Sequence, residues 1–172
     1  MDTITYASPL GPLTLLADQA ALVGCWFDSQ AYFGGAFDLA QAHHRETPVL
    51  QAASAWLDAY FAGRQPTQKV PLRLTGTPFR QAVAAQLQQI PWGHTVTYQA
   101  LAARLAHTGR VTSPRAIGGA VGHNPLSLFV PCHRVVAVSG ALTGYAGGLR
   151  RKVALLELEG VPVDRVHDRI DK

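Results

Sequence analysis

Hydrophobic and polar residues alternate in two short stretches near the N-terminus, a pattern typical of half-buried β-strands. These stretches are residues 3–6 and 13–17, and the turn-forming segment Ser8-Pro9-Leu10-Gly11-Pro12 lies between them. The arrangement predicts two paired antiparallel strands. The apolar run at residues 22–27 predicts a third strand, whereas residues 38–44 show no regular pattern and are expected to be loosely structured.

Further along the chain, apolar residues recur at three- and four-residue intervals, the spacing of amphipathic helices. One such segment covers residues 48–61, where Pro48 suits the first helical turn and Gly63 suits the stop. A second helix is predicted at residues 78–90, before the sequence Pro91-Trp92-Gly93.

The polar, turn-rich stretch between these two helices predicts a domain boundary. It lies at residues 63–78 and divides the chain into an N-terminal domain of sheet and helix, residues 1–75, and a C-terminal domain, residues 76–172. The predicted fold class is therefore α+β, with a small antiparallel sheet first and mostly helices after it.

Two short helices follow within the C-terminal domain. The first begins after Thr97, a candidate N-cap, and covers residues 98–105. The second covers residues 114–122, with Ser113 as N-cap and Arg115 near its start. A helix pair joined by a short polar linker, with an arginine at the start of the second helix, predicts a helix-turn-helix, although helix pairs are also common without that function.

Composition places the chain among ordinary globular proteins, with 172 residues, 48% hydrophobic and 15% charged. No stretch approaches the roughly 18 consecutive apolar residues of a membrane span, and the N-terminus lacks the basic-then-apolar order of a secretory signal. The two cysteines, Cys25 and Cys132, are too few for a disulfide framework or a zinc cluster. These features predict a soluble, cytoplasmic protein.

Charge is distributed unevenly along the chain. The net charge is only +4, yet no acidic residue lies between Asp58 and Glu157. Eleven cations occupy that interval: Arg64, Lys69, Arg73, Arg80, Arg104, Arg110, Arg115, Arg134, Arg150, Arg151 and Lys152. Such a field favours a nucleic-acid partner, and the alternative is a solvated basic surface without a partner.

Candidate chemistry lies in the apolar run that contains Pro131-Cys132-His133-Arg134. A neighbouring cation or imidazole lowers the pKa of a thiol and so favours the reactive thiolate. The alternative is a buried cysteine with only a packing role, since a neighbouring histidine on an extended chain points to the opposite face. Cys25 has no polar neighbour in sequence and is expected to lie in the core.

One segment resembles the active-site signature of the O6-alkylguanine-DNA alkyltransferases: Pro131-Cys132-His133-Arg134-Val135-Val136. It follows Gly122-His123-Asn124-Pro125 and precedes residues 139–149, which belong to the same resemblance. The resemblance continues through Gly76-Thr77-Pro78-Phe79, Ile90-Pro91-Trp92-Gly93, Thr97-Tyr98, Arg115-Ala116-Ile117-Gly118-Gly119-Ala120 and Leu155-Leu156-Glu157-Leu158-Glu159-Gly160. It thus covers about residues 76–160 in order.

This resemblance implies a DNA repair protein that moves the alkyl group of O6-alkylguanine, and of O4-alkylthymine, onto its own cysteine. The transfer is irreversible, so each molecule acts once. The implied fold has a ribonuclease H-like N-terminal sheet with a helix, then a winged-helix-like domain with a helix-turn-helix. The implied partner is double-stranded DNA, and no cofactor is expected.

The resemblance also assigns catalytic roles. Cys132 is implied as nucleophile and alkyl acceptor, His133 as the base that takes the thiol proton through a water, and Glu159 as the group that orients His133. Tyr98 is implied as the proton donor to N3 of the departing guanine. Asn124 is implied as a brace between the helix-turn-helix and the cysteine loop.

DNA contacts are implied for the helix pair. Arg115 is expected to fill the space left by a flipped-out nucleotide. Ala116, Gly118 and Gly119 are expected to let the helix approach the minor groove closely, and Thr97 is expected to contact DNA as well.

The substrate pocket is implied to consist of Pro131, Val135, Tyr145 and Ala146. Tyr145 is expected to pack on the flipped base, and the amide of Ala146 to reach O6. No metal site is expected, because Cys25 is the only N-terminal cysteine.

Two other functions fit part of the pattern. Alkyltransferase-like proteins bind alkylated DNA without chemistry, but they replace the cysteine that stands here as Cys132. A winged-helix transcription regulator explains the basic half and the helix pair, but not the Pro-Cys-His-Arg loop.

Overall fold

The computed structural model describes residues 1–170, which divide into two compact units. The first unit contains Met1–Thr75 together with Pro125–Ser127, a short segment that pairs with Cys25. The second contains Gly76–Asn124 and the chain from Leu128 onward.

The sheet of the first unit contains the three predicted strands, β1 (Asp2–Ser8), β2 (Gly11–Ala17) and β3 (Leu22–Phe27). They pair antiparallel, with Ser8 opposite Gly11 at the first turn. The expectation of loose structure at residues 38–44 is wrong. This segment contains a 3₁₀ turn and a short strand, β4 (His43–His44), which pairs parallel with β1, so the order in this sheet is β3-β2-β1-β4.

Helix α1 (Pro48–Phe61) packs on this sheet. Its N-cap, Thr47, accepts a hydrogen bond from the amide of Leu50 at 3.3 Å, and Pro48 occupies the first turn as predicted. The buried side chains of α1 recur at helical spacing, and those on one face of β2 and β3 lie toward them. They include Leu13, Leu15, Phe27, Leu50, Leu57 and Tyr60. Trp26 lies on the opposite face of the sheet, in a cluster with Leu16 and Val23.

The second unit contains α2 (Pro78–Leu87), α3 (Tyr98–Ala106), α4 (Pro114–Gly122) and α5 (Leu149–Leu158). Thr77, Thr97 and Ser113 each cap the helix that follows through a side-chain oxygen. These caps explain why α2, α3 and α4 begin where the sequence predicts.

The predicted end of α2 at residue 90 is wrong, because the helix ends at Leu87 and a tighter turn follows. The amide of Ile90 donates to the carbonyl of Leu87 at 3.0 Å, a three-residue spacing. Pro91 disfavours the helical conformation for the residue before it. Ile90 is nevertheless buried, which explains why its apolar spacing resembled a continued helix.

Short strands complete the second unit. β5 (Val96–Thr97) pairs parallel with β6 (Val135–Val136), so the start of α3 lies beside the residues that follow Cys132. Near the C-terminus, β7 (Val163–Asp164) and β8 (Arg169–Ile170) form an antiparallel hairpin. Within residues 1–170, no helix has the length and apolar character needed to cross a bilayer.

Two of the eleven cations pair in the fold with carboxylates that lie outside their stretch of the sequence. Arg73 forms an ion pair with Asp18 at 2.6 Å, and Arg134 forms one with Glu159 at 2.7 Å. Lys152, in addition, is fully buried. Separation along the sequence says nothing about separation in space, so these three cations do not add to an exposed basic field.

Candidate active site

Cys132, His133 and Arg134 form a single 3₁₀ turn directly after Pro131. The chain is therefore not extended here, and three residues per turn point the three side chains in different directions. All three are buried, with Cys132 only 3% exposed and His133 0% exposed. The turn allows the cysteine and the histidine to occupy the same buried site.

Asn124 holds this turn from the end of α4. Its side-chain amide, Nδ2, donates to the carbonyl of Val130 at 2.8 Å and to Sγ of Cys132 at 3.1 Å. The structure thus brings Asn124 to the sulfur as well as to the backbone of the loop.

The pKa of the Cys132 thiol lies above its ordinary value. Burial raises it, because a thiolate is poorly solvated in the interior, and the hydrogen bond from Asn124 and the charge of Lys152 offset only part of that effect. The resting side chain is therefore a thiol at neutral pH. A nearby base is needed to make it nucleophilic.

His133, the next residue in the same buried turn, is the candidate for that base. Its Nε2 lies 2.7 Å from Oε1 of Glu159, and an ionised carboxylate only accepts, so Nε2 carries the proton. In the neutral ring, Nδ1 is then the nitrogen that can take a proton. Burial lowers the pKa of His133, while the hydrogen bond and charge of Glu159 oppose that shift.

Glu159 caps the C-terminal end of α5 and is clamped by two neighbours. Besides His133, Arg134 contacts it through Nε to Oε2 at 2.7 Å and Nη2 to Oε1 at 2.9 Å. Burial alone raises the pKa of Glu159, but these hydrogen bonds and charges outweigh it and lower the pKa to about 2. Glu159 therefore stays ionised at any physiological pH.

Sequence reasoning missed the role of Arg134 as the second partner of Glu159. Its Nη1 also donates to the carbonyl of Ile90 at 2.6 Å, so the guanidinium is held on three sides. The sequence could have indicated this role, because Arg134 stands in an otherwise apolar segment and a buried charge requires a partner of opposite charge.

Tyr98 begins α3 and reaches the site because β5 pairs with β6. Its half-buried hydroxyl donates to the carbonyl of Thr143 at 3.1 Å and lies 3.3 Å from the carbonyl of Gly144. Burial raises the pKa of Tyr98, so its proton is held at neutral pH. The preceding residue, Thr97, is half-buried and caps α3.

The residues predicted to line the pocket lie around the same turn. Pro131 and Val135 flank it and are buried, and the ring of Tyr145 lies edge-on to that of His133 with centroids 6.4 Å apart. A Cβ on Gly147 would lie 2.5 Å from Cε1 of Tyr145, so the position of this ring requires glycine there. Ala146 is half-buried beside Tyr145.

Lys152 was also missed as a site residue. It is 0% exposed, and its Nζ donates to the carbonyls of Val135 at 2.5 Å and Thr143 at 2.9 Å. Burial lowers its pKa to about 8, while the charge of Cys132 opposes that shift. The sequence contains one indication that Lys152 is buried: it lies three and four residues before Leu155 and Leu156, a spacing that places all three on the inner face of α5.

Four of the five predicted DNA contacts lie on α4 rather than in the buried network, and the fifth, Thr97, is the N-cap of α3. Arg115, Ala116 and Gly119 are exposed, and Gly118 is half-buried. A Cβ on Gly118 would lie 3.8 Å from the Tyr98 ring, an ordinary contact, and one on Gly119 would meet nothing within 4 Å. Packing inside this unit therefore does not explain either glycine.

A metal centre was not predicted from the sequence. Among residues 1–170, no group of three or more histidine, cysteine, aspartate or glutamate side chains is arranged to hold a metal ion.

Comparison with known proteins matches both parts of the chain to one family. Residues 2–74 match the model of the 6-O-methylguanine DNA methyltransferase ribonuclease-like domain. Residues 78–161 match the model of the DNA binding domain of the same family.

Individual relatives are similar over most of their length. A methylated-DNA–protein-cysteine methyltransferase of Mycobacterium bovis is 42% identical over 156 residues, 90% of each chain. The Haemophilus influenzae protein of that name is 37% identical over 158 residues, 91% of this chain and 85% of its own. Among solved structures, Mycobacterium tuberculosis OGT in complex with DNA aligns with a TM-score of 0.81 and 40% identity, covering 92% of both chains.

Proposed function

This chain belongs to the 6-O-methylguanine DNA methyltransferase family, and we propose that it repairs DNA by transferring an alkyl group to its own Cys132. The substrates are O6-alkylguanine and O4-alkylthymine in double-stranded DNA. One observation carries the proposal: Cys132 lies buried in hydrogen-bond contact with Asn124, next to a His133–Glu159 pair. That arrangement supplies a nucleophile, a base and an orienting carboxylate.

The transfer proceeds in one displacement. His133 takes the thiol proton of Cys132 through a water, and the sulfur attacks the alkyl carbon. The carbon–O6 bond breaks, its electron pair goes to the guanine, and Tyr98 donates a proton to N3 so that the base leaves neutral. These steps require no cofactor. Because the thioether is stable, each protein molecule acts once.

Tyr98 must exchange acceptors to do this. Its hydroxyl now donates to the carbonyl of Thr143, in the segment that also carries Tyr145 and Ala146. When the flipped base enters, N3 replaces that carbonyl as acceptor. Tyr145 then packs on the base, the Ala146 amide reaches O6, and the carbonyls of Cys132 and Val135 accept from the exocyclic amine. Pro131 completes the pocket wall.

DNA is bound by the helix pair α3 and α4, a helix-turn-helix whose second helix lies in the minor groove. The exposed Ala116 and Gly119, with Gly118 beside them, leave a flat face that the internal packing does not require. A backbone that presses closely on another surface is the usual reason for such small residues. Thr97 contacts the DNA backbone at the start of α3.

Arg115 fills the gap in the stack when the target nucleotide rotates out. It is exposed in the first turn of α4, directly after Pro114, where its side chain can extend away from the helix. A target atom within a duplex cannot reach the buried Sγ of Cys132, so rotation of the nucleotide must precede transfer.

The finer assignments follow from the same family. The N-terminal domain, residues 1–75, has the ribonuclease H-like arrangement. Residues 76–172 form the winged-helix-like domain that binds DNA and accepts the alkyl group, and Asp171 and Lys172 of this range lie outside the described residues. A cytoplasmic location suits a protein whose function depends on a free thiol.

Transfer of label from DNA to protein tests the proposed function. The protein is titrated with an oligonucleotide that contains O6-methylguanine labelled in the methyl group. Label on the protein, with a matching gain in intact mass, supports a transferase. Lesion-specific binding without label indicates a sensor, and equal binding with and without the lesion indicates a regulator.

Arg115→Ala is expected to slow repair in duplex DNA by about tenfold or more, since flipping a base costs a few kcal/mol and 1.4 kcal/mol is a factor of ten. Single-stranded substrate requires no flipping from a paired stack, so its repair should change much less. Arg80→Ala is the matched control, because Arg80 is an exposed arginine in the first turn of α2. Equal losses of Arg115→Ala on both substrates would exclude this role.

Glu159→Gln is expected to shift the pH profile of transfer to higher pH. The charge and hydrogen bond of Glu159 raise the pKa of His133, so a neutral amide leaves His133 a weaker base and the thiol harder to deprotonate. A shift of one unit slows transfer on the rising limb about tenfold. Single-turnover rates across pH measure the shift, and Glu157→Gln is the control, because Glu157 lies two residues earlier and pairs with the exposed Arg165 instead. Superimposable profiles for Glu159→Gln and the parent would contradict the assigned role.

A further inference from the structure

Lys152 is a buried ammonium that the displacement described above does not use. Burying an ammonium is costly unless something compensates its charge. Within residues 1–170, its Nζ donates to the neutral carbonyls of Val135 and Thr143, and no carboxylate forms an ion pair with it. The resting site thus holds a positive charge that lacks a negative partner.

The two carbonyls belong to different parts of the site. Val135 follows the turn that carries Cys132 and His133. Thr143 precedes Tyr145, and its carbonyl also accepts from the hydroxyl of Tyr98. One ammonium therefore ties the cysteine turn to the segment that would cover the base.

The titratable groups that face Lys152 are those of the site itself. Cys132 and His133 from the 3₁₀ turn interact with its charge, and Tyr98 from α3 shares the Thr143 carbonyl with it. Asp164, in β7 packed against the same helix, pairs instead with His167 at 2.6 Å and Arg169 at 3.4 Å. Cys132, which gives its proton to His133, is thus the group near Lys152 that becomes negative before the sulfur attacks, and Tyr98 becomes negative only when it protonates the departing base.

We propose that Lys152 is a positioning residue for alkyl transfer, whose ammonium joins the two loops and stabilises the Cys132 thiolate until the sulfur–carbon bond forms. The proposal rests on the proposed function. Lys152 keeps its proton throughout: the thiol proton goes to His133, the sulfur–carbon bond forms as the carbon–O6 bond breaks, and Tyr98 protonates the departing base. Once the thioether has formed, Cys132 no longer carries a negative charge, and the negative charge that remains is on Tyr98, which has given its proton to the base.

The charge state of Lys152 then sets an upper limit to the pH range of transfer. Burial lowers its pKa to about 8, so at neutral pH most molecules carry the ammonium. As pH rises through that value, the ammonium is lost, and the thiolate loses its stabilising charge. Transfer should fall above about pH 8 even though proton removal from Cys132 becomes easier.

Lys152→Met is the direct test, because methionine is unbranched, only one atom shorter than lysine, and carries no charge. The pKa of Cys132 is measured from the thiolate absorbance near 240 nm as the pH is raised. Cys25→Ser is present in every protein, so that Cys132 is the remaining cysteine. The spectrum of a protein that also carries Cys132→Ser is subtracted, which leaves the signal of Cys132. We expect the pKa of Cys132 to rise by about 1 to 3 units and transfer at neutral pH to fall about tenfold or more, with binding of lesion DNA little changed. Lys69→Met, the same substitution at an exposed lysine, should alter none of these.

An unchanged thiol pKa in folded Lys152→Met, whatever its transfer rate, would show a purely structural lysine and overturn the proposal. If the variant does not fold, the unsubstituted protein decides: its rate should fall above about pH 8, and Tyr98→Phe should retain the same falling limb. A rate that continues to rise well beyond that pH would overturn the proposal. If the unsubstituted protein takes no label from DNA, the proposed function is refuted. The titration of Cys132 in the parent and in Lys152→Met still measures the effect of the Lys152 charge on the thiol pKa.

Discussion

A Cys132→Ser protein is expected to accept no alkyl group from DNA while still binding the lesion. A serine hydroxyl is a far weaker nucleophile than a thiol, and the buried site offers only a neutral histidine to activate it. The hydroxyl can still accept the hydrogen bond that Asn124 donates to Sγ at 3.1 Å, so the loop should keep its shape. Label on the protein and intact mass measure transfer, and a gel shift with lesion DNA measures binding.

Cys25→Ser is the matched control for this experiment. Cys25 is also buried and reduced, but it lies in β3 of the other unit, where its amide donates to the carbonyl of Pro125 at 2.8 Å. Its substitution should leave transfer in place at some cost in stability. Label on the Cys132→Ser protein would identify another acceptor and refute the assignment of Cys132.

Tyr98→Phe is expected to slow transfer by roughly 10- to 1000-fold, the usual cost of removing one hydrogen-bond donor where charge develops in a closed site. Without the phenol, the departing guanine carries a negative charge until solvent protonates it. Binding of lesion DNA should change much less, since phenylalanine keeps the ring that α4 packs against at Gly118. Single-turnover rates under saturating protein separate these two effects.

Tyr6→Phe provides the control for Tyr98→Phe. The Tyr6 hydroxyl also donates a hydrogen bond, to Oδ1 of Asp58 at 2.8 Å, but it does so in the N-terminal unit. Its loss should leave the transfer rate unchanged. A Tyr98→Phe protein that transfers at the parental rate would return Tyr98 to a structural role and move the proton donor elsewhere.

Local interactions explain which structural predictions were right. The start of α4 follows from Ser113 and Pro114 alone, because a cap and a preset backbone angle act within one turn. The same holds for α1 after Thr47, and for the turn between β1 and β2. The sequence around Cys132 was also distinctive enough to identify the family, which the comparisons confirm.

Non-local contacts explain what was missed. Residues 43–44 become a strand only because β1 offers a free edge, and nothing in their own sequence shows that edge. Ile90 has helical spacing, yet Pro91 and a tighter turn end α2 earlier. In each case the deciding contact lies outside the periodic pattern.

The sequence by itself determined the family, the proposed nucleophile and most of the secondary structure, since these depend on residue identity and on neighbours within a few positions. Only the tertiary structure showed that Arg134 and Lys152, which the sequence groups with exposed cations, are buried and hydrogen-bonded to Glu159 and Val135 of the candidate site. Burial and ion pairing depend on residues far apart in the chain, such as Arg134 and Glu159. The protonation states that control this site are therefore a property of the folded chain.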